Sequence, residues 1–135
     1  MTVTFDFDET LTKSNFNTSY SLWVSTLEPN ERVIEKYKQH ILNNDQIYIV
    51  TFRNEEYVNE VIEFLVANNL NYCKIFATGG KPKKPIIVDI LNSSIHYDDD
   101  IYTCISLVGT SCTPVLIKTA NNANNSSIDL IHEKL

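Results

Sequence analysis

Apolar residues along the chain fall into short runs, and each run ends in a polar cluster. Thr2-Val3-Thr4-Phe5-Asp6-Phe7 leads into Asp8-Glu9-Thr10, and Gln46-Ile47-Tyr48-Ile49-Val50 leads into Thr51-Phe52-Arg53. Lys74-Ile75-Phe76-Ala77 precedes Thr78-Gly79-Gly80-Lys81-Pro82, and Ser94-Ile95-His96-Tyr97 precedes Asp98-Asp99-Asp100; a fifth run spans Pro114 to Lys118. Nearly continuous apolar runs of this length, rich in β-branched and aromatic residues, are the pattern of strands buried on both faces of a parallel sheet. Between them the period changes. Val33, Ile34, Tyr37, Ile41 and Leu42 recur at helical spacing after Pro29-Asn30-Glu31 and stop at Asn43-Asn44, and Tyr57, Val58, Val61, Ile62, Leu65 and Val66 do so over 54–69. Pro85 suits the first turn of a short helix through Leu91, and a further helix is predicted near 100–108. The alternation predicts an α/β fold: a three-layer α/β/α sandwich around a parallel, Rossmann-like sheet of about five strands.

Two segments stand outside this alternation. Residues 12–28 are polar with aromatic punctuation at Phe16, Tyr20 and Trp23, which reads as a loop or short irregular helix over the strand ends. The Asn- and Ser-rich run 121–127 reads as a flexible linker to a short amphipathic helical segment, Ile128 to Leu135. A chain of 135 residues has room for one core, so residues 1–120 are expected to form one domain and 121–135 a tail. With 11 Lys+Arg against 17 Asp+Glu the net charge is −6, the wrong sign for holding a long polynucleotide by phosphate neutralisation alone. Cys73, Cys104 and Cys112 have neither disulfide-framework nor zinc spacing and read as buried thiols. No apolar run reaches the ~18 residues of a membrane span, and the N-terminal residues lack a leader's pattern, so the expected compartment is the cytoplasm.

The chemistry concentrates at the strand ends, where ligands bind on such sheets. Asp6 and Asp8 follow the first strand, Thr51 and Arg53 the second, the lysines of 81–84 the third, and Asp98 and Asp99 the fourth. Singly these residues are ordinary caps and turn residues. Together they bring several carboxylates into one crevice, where they repel unless a cation neutralises them. Oxygen ligands without nearby Cys or His select a hard ion, and Mg²⁺ with a substrate phosphate fits best. A lysine and a hydroxyl across the crevice suit a phosphoryl group, and an Asp carboxylate facing it can be a nucleophile.

Asp6-Phe7-Asp8-Glu9-Thr10 after an apolar strand resembles the DxDx[TV] motif of the haloacid dehalogenase superfamily, and Thr51, a lysine in 81–84 and Asp98-Asp99 follow in that family's order. The resemblance covers residues ~2 to 118 and implies a phosphate monoester hydrolase. It makes Asp6 the nucleophile and a metal ligand, Asp8 the general acid/base and a ligand through its carbonyl, Thr51 a phosphoryl contact, and Asp98 the remaining metal ligand. Family ATPases tend to carry Thr at the position of Asp8. The motif lysine lies among Lys81, Lys83 and Lys84; Lys84, at the start of the short helix, is favoured over Lys81-Pro82. Arg53 is either a substrate contact or a surface ion pair. Asp100 reads as a helix-start residue, and His96 as a packed or supporting one.

Two departures qualify the resemblance. Glu9 replaces the family's common Gly, as in branches resembling the phosphatases of the RNA polymerase C-terminal domain. The gaps between motifs leave room for a flap and not for a cap domain. In the family an open site accompanies macromolecular substrates such as nucleic-acid ends or phosphoproteins, nucleotides, or a homo-oligomer in which a neighbour covers the site. Phe16, Tyr20 and Trp23 would stack a base or anchor the flap. Two other classes share much of this inventory: a phospho-accepting receiver module, whose motif order differs, and a non-catalytic binding domain, which has no use for paired Asp6 and Asp8.

Overall fold

The computed structural model describes residues 1–13, 27–70, 74–119 and 122, and the backbone of 133–134. In chain order these form β1 (Thr2–Phe5), a small antiparallel pair β2 (Thr12–Lys13) and β3 (Glu28–Pro29), α1 (Glu31–Leu42) and β4 (Gln46–Thr51). A 3₁₀ turn, Glu55–Tyr57, then leads into α2 (Val58–Ala67) and β5 (Lys74–Ala77). A π-helical segment, Pro85–Ile90, precedes β6 (Ile95–Asp98), α3 (Ile101–Leu107), β7 (Thr113–Leu116) and a two-residue β8 (Glu133–Lys134).

The main sheet is parallel throughout, in the order β5-β4-β1-β6-β7-β8. From β1 the chain steps outward through β4 and β5, then returns to lay β6 on the other side of β1. Strand order reverses between β1 and β6, and beyond the carboxyl ends at such a reversal the connections part to leave a crevice.

Side chains alternate across the sheet and build two apolar layers. On one face Val3, Phe5, Ile47 and Ile49 pack against Val33, Ile34 and Tyr37 of α1 and Val61, Phe64 and Leu65 of α2. On the other, Val50 meets Ile87, Leu107 and Cys112, while Leu116 meets Ile101 and Cys104. The three-layer α/β/α architecture with five core strands is as the hydrophobic pattern predicts, and β8 adds a short sixth.

Differences are local. The second helix begins later than position 54 because Glu55–Tyr57 winds as 3₁₀. Pro85 opens the next helix as expected, and the helix is π-wound, with Leu91 N donating to Ile86 O at 2.9 Å. Asn122, expected in a flexible linker, is 5% exposed. Glu133–Lys134 pair as a strand with β7, where a helical segment was expected. The aromatics Phe16, Tyr20 and Trp23 and the thiol of Cys73 lie outside the described residues. Cys104 and Cys112 are free and buried, and burial pushes the Cys112 thiol up to about 11. Among the described residues no helix is long and apolar enough to cross a membrane.

Candidate active site

The loop after β1 is wound around one carbonyl. Phe7 O accepts N–H bonds from Thr10 (3.2 Å), Leu11 (3.0 Å) and Thr12 (3.3 Å), and the Phe7 and Leu11 side chains are wholly buried. Asp6 N donates to Tyr97 O at 2.8 Å, extending the β1–β6 pairing by one residue and fixing Asp6 at the mouth of the reversal. Closing the turn sets Glu9 at φ +60°, a left-handed conformation that costs a side-chain-bearing residue about 1–2 kcal/mol and suits Gly.

Asp6, Asp98 and Asp99 converge there, each offering a carboxylate oxygen within 4.8 Å of the others. The Thr10 hydroxyl donates to Asp6 Oδ2 at 3.1 Å. Lys83 Nζ lies between two of these three acids, 2.8 Å from Asp6 Oδ1 and 2.8 Å from Asp98 Oδ2, and its side chain has no exposed area. Burial works against the Lys83 charge, but the two carboxylates hold its proton above the ordinary lysine value.

Lys83, rather than the favoured Lys84, is therefore the lysine of the site; Lys84 and Lys81 are both exposed. The reason is the path of the loop. Thr78 N, Gly80 N and Gly79 N bond to Thr51 O, Phe52 O and Arg53 O at 2.9, 2.9 and 3.1 Å, so the segment after β5 is laced to the segment after β4. Gly79, at φ +62° with its missing Cβ facing Asn54 Oδ1, permits that approach. Lys83 then turns inward as its carbonyl accepts from Ile86 N and Ile87 N, and Lys84 points away.

Charge is not balanced by this one ammonium. Burial, then the Asp98 carboxylate, push Asp6 well above the usual carboxylate range, and burial chiefly raises Asp99 to about 7. Asp98 goes the other way: burial opposes its charge, yet Lys83 and a hydrogen bond from His96 hold it below the usual range. His96 is buried, and burial lowers its proton affinity. Facing an ionised acid, its Nε2 donates to Asp98 Oδ2 at 2.8 Å, and its Nδ1, 2.7 Å from Thr4 Oγ1, accepts from that hydroxyl.

Asp8 is engaged elsewhere. Arg53 Nε and Nη2 donate to Asp8 Oδ2 and Oδ1 at 2.9 and 2.8 Å, a two-point contact, and Nη1 donates to Glu60 Oε2 on α2. The Arg53 side chain is 7% exposed and its Cζ stands 5.1 Å from the centre of the Phe7 ring. The expected alternative of a surface ion pair thus becomes a partly buried one. Thr51, 1% exposed, accepts from Arg53 N at 3.2 Å. Asp100 Oδ2 accepts from Thr103 N at 3.2 Å and caps α3 as expected. Asn122 donates to Asp99 O at 2.7 Å, a tie that an Asn-rich tract does not advertise. A cavity of about 310 Å³ opens over these groups, lined by Asp6, Asp8, Glu9, Thr51, Asp98 and Asp99 among others.

Three sequence-derived ligand candidates were Asp6, Asp8 and Asp98. The side chains of Asp6 and Asp98 meet, Asp99 joins them, and the Asp8 carboxylate faces Arg53. The supporting Glu60 escaped the sequence reading because a polar residue inside a helix carries no signal of which way it faces, while Thr10 was quoted in the motif and given no role of its own.

No protein-family model and no curated protein matches the sequence. Solved structures do. A chain of the Pnkp1/Rnl/Hen1 RNA repair complex superposes with TM-score 0.71 at 16% identity, over 85% of this chain and 41% of that one. D,D-heptose 1,7-bisphosphate phosphatase from B. bronchiseptica, complexed with magnesium and phosphate, gives 0.64 at 11% identity, over 89% and 82%. The cobalt-bound deoxy-D-mannose-octulosonate 8-phosphate phosphatase from Haemophilus influenzae gives 0.65 at 13%, over 99% and 76%. The chain spans less than half the length of the RNA-repair chain. At these identities the likeness establishes the fold alone: a Rossmann-like α/β domain shared with these proteins.

Proposed function

We propose that the protein is a Mg²⁺-dependent phosphatase that hydrolyses a phosphate monoester through a phosphoaspartate on Asp6. The observation that carries this reading is the convergence of Asp6, Asp98 and Asp99 around Lys83 at the point where strand order reverses. Two of the proteins sharing the fold are phosphatases of phosphorylated sugars, one complexed with magnesium and phosphate.

The donor set suits a hard divalent ion: all oxygens, clustered, and carrying more negative charge than Lys83 offsets. Asp6, Asp98 and Asp99 would hold it, with the Asp8 carbonyl completing the protein's share. Bound there, Mg²⁺ supplies charge for the phosphoryl oxygens and for the acids themselves.

The protein's own groups then divide the work. An Asp6 carboxylate oxygen attacks phosphorus as the bond to the leaving oxygen breaks, and Asp8, once one arm of its contact with Arg53 opens and it takes up a proton from solvent, gives that proton to the leaving oxygen. Asp8, now a carboxylate, takes a proton from water, whose oxygen attacks phosphorus and breaks the bond to Asp6. Inorganic phosphate leaves and both acids are restored. Lys83 neutralises a phosphoryl oxygen. The Thr51 hydroxyl accepts from Arg53 N, so its own proton is available to the phosphoryl group. Arg53 orients Asp8 by the two-point contact and Glu60 orients Arg53.

Phosphate release from a chromogenic aryl phosphate, with and without Mg²⁺, tests the reading. Wild type should turn over only with the metal, and Asp6→Asn should lose about 10³-fold or more. An Asp6→Asn protein as fast as wild type would falsify it.

A further inference from the structure

Next to the acidic cavity lies a second one of about 430 Å³, which shares Phe52 and Asp100 with it. Its character is different. Phe52, Tyr102, Pro82 and Pro85 supply apolar surface, Lys84 a cation and Ser106 a hydroxyl. Tyr102 is 75% and Phe52 38% exposed, and they are the only exposed aromatic side chains among the described residues. One face of Phe52 is already taken, because Lys83 Nζ sits 4.3 Å from its ring centre. Tyr102, on the first turn of α3, has no such occupant among the ring contacts of the described residues.

We infer that this groove seats the leaving group of the substrate, and that the leaving group is a nucleotide unit: a base stacked on Tyr102 and a further phosphate against Lys84. The inference rests on the phosphatase reading and goes beyond it by naming the substrate class. Continuity comes first, since a group seated in the groove is joined to the cavity across Phe52 and Asp100, which line both. Stacking comes second: Tyr102 and Phe52 are exposed rings lining one cavity rather than scattered singly, and an open ring face there accepts a flat partner, a contact that in base stacking tolerates any sequence. Charge comes third. The acidic cavity repels anions, so a leaving group that carries phosphate needs a cation outside it, and Lys84 lines the groove while making no ion pair among the described residues. The net charge of −6 restricts the occupant to a terminal unit rather than a long strand.

The test compares a dinucleotide carrying a terminal phosphate, glycerol phosphate, which has no ring, and a phosphotyrosine peptide. For the dinucleotide, Tyr102→Ala should lower kcat/KM about tenfold, mainly through KM, and Tyr102→Phe should restore it. Lys84→Ala should cost several-fold and flatten the salt dependence. Glycerol phosphate should be hydrolysed within twofold of wild type by all three variants. If Tyr102→Ala leaves the dinucleotide unaffected, or matters only for the phosphotyrosine peptide, the groove assignment fails while the phosphatase reading stands. If wild type hydrolyses none of them, the phosphatase reading fails, and calorimetric titration with the dinucleotide decides the groove: weaker binding in Tyr102→Ala supports it, and no binding to wild type overturns it.

Discussion

Glu9 occupies a backbone conformation that its side chain makes costly, φ +60° in the turn wound on Phe7 O. Gly adopts it freely, so Glu9→Gly should stabilise the fold by about 0.5–1 kcal/mol, the relief of left-handed strain less the entropy Gly adds to the unfolded chain. A urea titration measures this, and a destabilised variant would show that Glu9 contributes contacts outweighing its strain. Lys83 and Lys84 make a sharper pair. Removing Lys83 leaves Asp6 and Asp98 facing each other in a buried site, so Lys83→Met should cost about 3 kcal/mol and abolish turnover. Lys84→Ala should change stability by no more than about 0.5 kcal/mol. The sequence reading reached the lysine cluster and favoured Lys84, whereas Lys83 is the one that meets Asp6 and Asp98. Which of three neighbouring lysines turns inward depends on the lacing of Thr78–Gly80 to Thr51–Arg53, a contact between segments distant in the chain. His96 was more legible: in a strand it shares a face with Asp98, two residues on, and the two side chains meet.

At the scale of elements, the five core strands were legible because burial on both faces forces unbroken apolar runs, and α1 because one face alone is buried. The ends of elements were less so, since the π winding of Pro85–Ile90 and the 3₁₀ turn at Glu55 change the helix type without changing the hydrophobic period. The junction of α1 and β4 carries a polar knot that periodicity does not reveal. His40, in the last turn of α1, has Nδ1 2.8 Å from Asp45 Oδ2 and Nε2 2.9 Å from Tyr97 Oη, tying helix, loop and β6 together. The hydrogen bond with His40, aided by the N-terminal ammonium 3.5 Å away, holds Asp45 below the ordinary carboxylate value. A depressed folded-state value means that the unfolded chain binds the proton more readily. The contribution is thus complete above the unfolded value of about 4 and fades as pH falls through the folded one. Asp45→Asn should lower the urea midpoint at pH 7, and that deficit should shrink steadily as pH falls below about 4; a deficit that does not change with pH would assign the effect to packing.

Across the whole molecule, the fold collects acids at one end of the sheet. Asp6, Asp8, Glu9, Asp98, Asp99 and Asp100 all line one cavity, against Lys83 and Arg53 as the buried cations placed beside them. Strands of a parallel sheet deliver their carboxyl ends to the same side, so acids well separated in sequence accumulate there, and folding does work against their repulsion. A cation bound by the folded chain and not by the unfolded one returns that work as stability, by RT ln(1 + [L]/Kd), about 1.4 kcal/mol at tenfold the Kd. Mg²⁺ should therefore raise the thermal midpoint in a saturable way, while NaCl at equal ionic strength gives only the gradual change of screening. Asp98→Asn and Asp99→Asn should each weaken the Mg²⁺ response, because each removes an oxygen anion from the cluster. Asp45→Asn, at the junction of α1 and β4, should leave it intact. A Mg²⁺ response that NaCl reproduces, or that survives in both Asp98→Asn and Asp99→Asn, would mean that Lys83 and shared protons suffice to hold the acids together, and would remove the ion from the proposed chemistry.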